Sequence, residues 1–183
     1  MKYKSWTEHI SSVEKKIDEE FKIIKRPLGG SCFDYMLSQC KLDYKSRQII
    51  IEQVFTKSDY ENGTPGSIQF IYEYKNRNDF QLSISERDFF DKLFSNKRFT
   101  VKNPVFDKKF TIQSNDHITA SKIFADEAIQ SIFLNNRFII LNISSKESLT
   151  KIVLKNISNK LYDFKEYELM LNTLKLIIDS CRG

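Results

Sequence analysis

The segment from Ile68 to Tyr74 constrains this chain more than any other. Ile68, Phe70, Tyr72 and Tyr74 alternate with Gln69, Ile71 and Glu73. Successive residues of a strand point to opposite sides, so this spacing builds a strand with one apolar side. Such strands belong to antiparallel sheets with one buried face. A buried face needs a cover, and the C-terminal part of the chain supplies one. Phe164, Tyr167, Met170, Leu171, Leu174, Ile177, Ile178 and Cys181 recur at helical spacing, giving a wide stripe on a helix of about 19 residues. Left exposed, that stripe would be an aggregation surface, so it is expected to dock. The fold class that follows is α+β: an antiparallel sheet of about six to eight strands with helices packed on it and long N- and C-terminal helices. A partly open barrel capped by the last helix is the alternative.

The rest of the chain divides at its turn formers. Ser5 and Glu8 form a capping box. Trp6, Ile10, Val13, Ile17 and Phe21 then stripe a first helix. Arg26 to Gly30 breaks the chain; its Gly29-Gly30 pair lacks the spacing of a phosphate loop. From Ser31 to Tyr44 the pattern fits strand or helix. Strand is preferred, because Ile49, Ile50, Ile51, Val54 and Phe55 follow at hairpin distance across residues 43–47. Asp59 to Gly66 reads as a loop. Ile68–Tyr74 is expected to form a hairpin with Phe80, Leu82 and Ile84 across residues 76–79. Ser85 and Asp88 are expected to open a short helix through Phe94, and Phe99–Val101 to be a short strand. Phe138 to Ile143 is almost continuously apolar, as in a strand covered on both faces. Leu149 to Ile157 returns from it across residues 144–148. Asp163 with Glu166 caps the last helix.

Between these lies Asn103 to Phe124, which reads as turn, strand, turn and helix start. Pro104 fixes its own φ and pushes Asn103 towards an extended backbone. Phe106, Lys108, Phe110 and Ile112 then share one side at strand spacing, and Asp107, Lys109 and Thr111 the other. Asp116 is positioned to cap a helix beginning at His117 or Ile118. Asp126 is a second cap where that helix continues or restarts. Asn135-Asn136 closes it with the left-handed backbone that Asn tolerates. The stretch resembles a signature of an uncharacterised bacterial domain family, Asn-Pro-x-Phe-Asp-x-x-Phe followed by Ser-x-Asp and a helix carrying Ala. The matching residues are Asn103, Pro104, Phe106, Asp107, Phe110, Ser114, Asp116 and Ala120. The resemblance implies a small α+β domain and assigns no activity.

With 183 residues the default is a single domain over residues 1–183, long enough to bury a core. The 29 Lys and Arg exceed the 24 Asp and Glu by five, and the excess is spread along the chain rather than gathered in one stripe. Fifteen Phe point to an aromatic core, or to a few Phe lining a pocket or partner surface. The three cysteines, Cys32, Cys40 and Cys181, are odd in number and form no C-x-x-C pair. No run of signal-peptide or membrane-span length occurs, so a reducing cytoplasm is the expected compartment.

Motif chemistry is sparse. His9 and His117 are the only histidines, and no zinc spacing, nucleophile elbow or cofactor loop is present, so no metal and no cofactor is expected. Asp107 and Asp116 read as a strand-face charge and a helix cap rather than a paired site. Cys181 reads as a small core residue. The leading expectation is a non-enzymatic binding or protein-interaction domain whose partner the sequence leaves unknown, another protein being one candidate. One alternative is polyanion or nucleic-acid binding by Lys97, Arg98, Lys102, Lys108 and Lys109, interleaved with Phe99, Phe106 and Phe110. The other is an enzyme using Cys32 or Cys40 with His117.

Overall fold

In a computed structural model the described residues are 22–26, 35–56, 65–76, 78–87, 99–136, 138–157 and 164–182. The expected first helix (Ser5 to Phe21), the Gly29-Gly30 break, most of the Asp59–Gly66 loop and the Asp163 cap lie outside them. Eight strands form one sheet: β1 (Lys22–Arg26), β2 (Tyr35–Tyr44), β3 (Arg47–Thr56), β4 (Pro65–Lys75), β5 (Leu82–Glu86), β6 (Phe110–Ser114), β7 (Ile139–Lys146) and β8 (Leu149–Asn156). Their spatial order is β1-β2-β3-β4-β8-β7-β5-β6, with every pairing antiparallel. Among the described residues the edges β1 and β6 do not pair with each other, so the sheet does not close on itself.

The strand reading of Ser31–Tyr44 is correct for its second part. The hairpin turns are tighter than expected. Strand pairing runs up to Lys45-Ser46 and to Glu147-Ser148, two-residue turns whose four residues all have φ between 47° and 64°. Paired left-handed residues give the turn the same twist as the strands it joins. Gly66 on β4 lies beside the bulge at Gln53/Phe55, where a Cβ would stand 2.8 Å from the Val54 carbonyl oxygen.

The expected pairing of β4 with β5 is wrong. Both strands exist, but the β7–β8 hairpin lies between them. The connection crosses the end of that hairpin, where Asn76 N–H donates to Ser148 O (2.9 Å) and Ser145 Oγ donates to Phe80 O (3.0 Å). Alternation fixes which residues of β5 face the core, and it carries no information about which strand lies alongside. Ser85 belongs to β5, the expected short helix from Asp88 through Phe94 lies outside the described residues, and Phe99–Val101 reduces to one bridge from Phe99 to Ile112. β7 alternates too: Ile139, Leu141 and Ile143 are buried while Asn142 is exposed, so it is covered on one face only.

Four helices are described: α1 (Pro104–Lys109), α2 (His117–Phe124), α3 (Glu127–Asn135) and α4 (Phe164–Arg182). The strand expected from Phe106 is therefore a helix as far as Lys109 and a strand from Phe110. Asn103 caps α1 by accepting from the N–H groups of Val105 (3.1 Å) and Phe106 (3.3 Å), and Pro104 takes the first helical position, where its missing N–H costs nothing. Phe106 and Phe110 are four apart, and their ring centroids lie 4.8 Å from each other. They pack with Phe124 and Phe133 into an aromatic knot that joins α1, α2, α3 and β6. Asp116 caps α2 as expected, and α3 restarts at the Asp126 cap. Asn136 ends α3 in an extended backbone (φ −119°), correcting the left-handed closure; the left-handed residue is Phe138 (φ 70°).

One face of the sheet carries the core in cross-strand rows. Cys40, Ile51, Phe70, Leu154, Leu141, Ile84 and Ile112 stand in register from β2 to β6, and all are buried. Packed into this core, α4 buries Tyr167, Met170, Thr173, Leu174, Ile177 and Ile178. The stripe read from the sequence is thus the docked face. The opposite face of the sheet holds polar ladders, such as Glu52 accepting from Gln39 (2.9 Å) and Gln69 (2.6 Å).

Candidate functional site

Where α4 passes β2 and β3, its flank and the sheet enclose a groove of about 430 Å³. Leu42, Ile49 and Ile51 form the floor because they alternate onto the core face. Phe164, Tyr167, Glu168, Leu171, Asn172 and Lys175 form the wall. They recur at steps of three and one, which is one side of a helix. The floor is apolar; the rim holds Asp43, Glu168, Asn172 and Lys175.

The rim groups differ in their commitments. Asp43 accepts from Gln48 Nε2 (3.1 Å). Lys175 Nζ lies 5.5 Å from the Tyr44 ring centroid, a cation–π contact. Glu168 and Asn172 have no side-chain hydrogen bond or ion pair among the described residues. Beyond the inner end, the Tyr167 hydroxyl donates to Gln53 Oε1, and its ring meets Phe70 edge-on at 6.2 Å. Gln53 Nε2 and Ser38 Oγ, facing each other across β2 and β3, are buried without a partner among the described residues.

Past the outer end, Tyr44, Lys45, Asp179 and Arg182 form a polar clasp. Asp179 accepts from the Tyr44 hydroxyl (2.9 Å) and from Lys45 Nζ (2.5 Å). Burial works against the ionised Asp179, but these bonds and the Lys45 charge outweigh it and hold the carboxyl below its usual range. Burial first, then the bond to Asp179, pushes the Tyr44 phenol up to about 12. Arg182 donates to the Tyr72 hydroxyl (3.1 Å) and lies 5.7 Å over Tyr74.

The expected basic segment is described only from Phe99 onward. Lys97 and Arg98 lie outside the described residues. Lys102 and Lys108 are exposed, but Lys109 Nζ donates to Leu134 O (3.0 Å) and lies 3.8 Å from Glu86. Phe106 and Phe110 are buried in the aromatic knot, and Phe99 packs on His117 at 5.5 Å. Asp107 accepts from the Val101 N–H (2.9 Å), so it fastens the preceding segment to α1.

The structure does not bring Cys40 to His117. Cys40 is buried on β2, the second strand, whereas His117 is exposed beyond β6, the eighth. Six strand spacings of about 4.8 Å put roughly 29 Å between those strands. Cys32 lies outside the described residues. Burial pushes the Cys181 thiol up to about 12, so it stays protonated and unreactive at neutral pH. Among the described residues no group of three His, Cys, Asp or Glu could hold a metal ion, and no helix is long and apolar enough to cross a membrane.

Sequence reasoning missed the groove, because its floor and wall come from segments more than a hundred residues apart. One signal was present: Gln53 continues the alternation of Ile49 and Ile51, a polar residue at a core position. Compared with known families, curated proteins and solved structures, the chain matches none of them.

Proposed function

We propose that this is a cytoplasmic, non-enzymatic binding domain whose site is the groove between α4 and the β2–β3 hairpin. The observation that carries the reading is the groove itself, a concave apolar floor with a few polar groups on one rim, the usual form of a ligand site. The Cys181 thiol, which forms no disulfide among the described residues, suits a reducing compartment. Lys175 is drawn to the Tyr44 ring, and Asp43 is held by Gln48 on the other side of β2, which leaves the carboxylate of Glu168 to meet an incoming head group. The ligand class is therefore an amphipathic cation. Its apolar chain lies on Leu42, Ile49, Ile51 and Leu171, and its ammonium lies against Glu168.

Calorimetric titration with decylammonium and with decanoate, both below their micelle concentrations, tests this. Saturable binding of decylammonium alone is expected, weakened about tenfold in Glu168→Gln, the scale of one charge-assisted hydrogen bond. Leu171→Arg, which puts a cation in the groove, should abolish it. Binding of decanoate as tightly as decylammonium would overturn the head-group assignment, and binding of neither would overturn the site.

A further inference from the structure

On the face of the sheet opposite the four described helices, at the β5–β6–β7 end, lies a trough of about 510 Å³. Ser83 on β5 stands opposite both Gln113 on β6 and Asn142 on β7, so the three form one cross-strand row. Gln81 and Ser144 extend the surface one step along the strands. Asn115 braces the rim: its Oδ1 accepts from Gln81 N–H (2.8 Å) and its Nδ2 donates to Asp79 O (2.7 Å). None of the described lining residues is charged, in a chain of which 29% is charged. The side chains of Gln81, Ser83, Gln113, Asn142 and Ser144 have no hydrogen-bond partner among the described residues.

We propose that this trough is a second binding site and that it takes a neutral polyhydroxylated chain, an oligosaccharide. Lys151, opposite Ser144 on β8, is paired with Glu73 (3.0 Å), so an ionic ligand would find no uncommitted counter-charge among the described lining residues. Amides and hydroxyls both donate and accept, which is what a sugar hydroxyl also does. The row repeats at the strand spacing of about 4.8 Å, comparable to the length of one sugar ring, so a chain laid across β6, β5 and β7 meets similar groups at successive units. β5 is paired on both sides, so the row is held rigid before the ligand arrives. With no aromatic platform in the lining, recognition rests on hydrogen bonds, and weak, saturable binding is expected.

The test is a nuclear magnetic resonance titration of labelled full-length protein with maltohexaose, cellohexaose and chitohexaose. At least one should shift the backbone amides of Ser83, Gln113 and Asn142 saturably. The Gln113→Ala, Asn142→Ala double variant changes two exposed side chains. It should keep the wild-type melting temperature and bind at least about tenfold more weakly, the loss expected when two hydrogen bonds go. The groove variant Leu171→Arg should bind the saccharide as the wild type does, which separates this proposal from the preceding one. No saturable shift with any of the three would overturn it. So would an extended peptide of alternating Thr and Val that shifts β6 when the saccharides do not, because the surface would then be a strand edge awaiting a partner strand.

Discussion

Gln130 on α3 is buried, and its side chain joins three helices. Its Nε2 donates to the Phe124 carbonyl at the end of α2 (2.6 Å), and its Oε1 accepts from Asn103 Nδ2 (2.6 Å), the side chain that caps α1. Gln130→Leu keeps the volume and removes both bonds. A buried carbonyl left without its donor costs about 1–3 kcal/mol, and the half-exposed Asn103 amide, which water can reach, costs about 0.5–1.5. The expected loss is about 3 kcal/mol, or roughly 6–12 °C in melting temperature for a chain of this size. Asn103→Asp keeps the capping oxygen but replaces the Nδ2 donor with an oxygen facing Gln130 Oε1. It should cost about 1–3 kcal/mol, as for a buried acceptor left unpaired. Urea unfolding followed by far-ultraviolet circular dichroism gives both costs and that of the double variant. Because the residues share one bond, the costs should fail to add by about 0.5–3 kcal/mol. Additivity within about 0.5 kcal/mol would mean that the two side chains are energetically independent, and the bridge between α1 and α3 would have to be abandoned.

At the other cap, Asp116→Ala should melt below the wild type and below Asp116→Asn, which keeps the acceptor for the Ile118 and Thr119 N–H groups. Hydrogen bonds from Thr119 hold the Asp116 carboxyl below its ordinary value. Its contribution is therefore complete above that value and fades as pH falls through the depressed one; an Ala variant melting at or above the wild type would refute the cap. In alkali the sign reverses. Burial raises Tyr44 and Tyr74 from 10.0, and Cys181 from 9.0, each to about 12. The stability they confer is complete below the ordinary values and is lost as pH rises towards 12. A urea midpoint that stays level from about pH 8 to about pH 11 would contradict this. Gly66→Ala should destabilise by about 1–3 kcal/mol, because its Cβ meets the Val54 carbonyl oxygen at 2.8 Å. A gain of about 0.4–1 kcal/mol in the same urea assay, the usual result at an open glycine, would show that β3 yields there.

Local chemistry determined much of this protein. The two-residue period of Ile68–Tyr74 and the stripe of α4 dictated a one-faced sheet with a helix on it, and both are present. Asp116 and Asp126 cap the helices they precede, because a cap needs only its own side chain and the next two or three N–H groups. The sequence left two matters open that the tertiary structure decided. Phe106, Phe110 and Ile112 fit a strand period, yet Asn103 and Pro104 start a helix there. The outcome rests on Phe106 packing against Phe124 and Phe133, which lie 18 and 27 residues further on. Strand order was undecided for the same reason. Alternation assigns each residue to a face, but the neighbour of β4 is set by how the β7–β8 hairpin and α4 fill the core together. The groove and the neutral trough arise from that order, since each joins residues whose nearness exists only once the sheet has closed its rows.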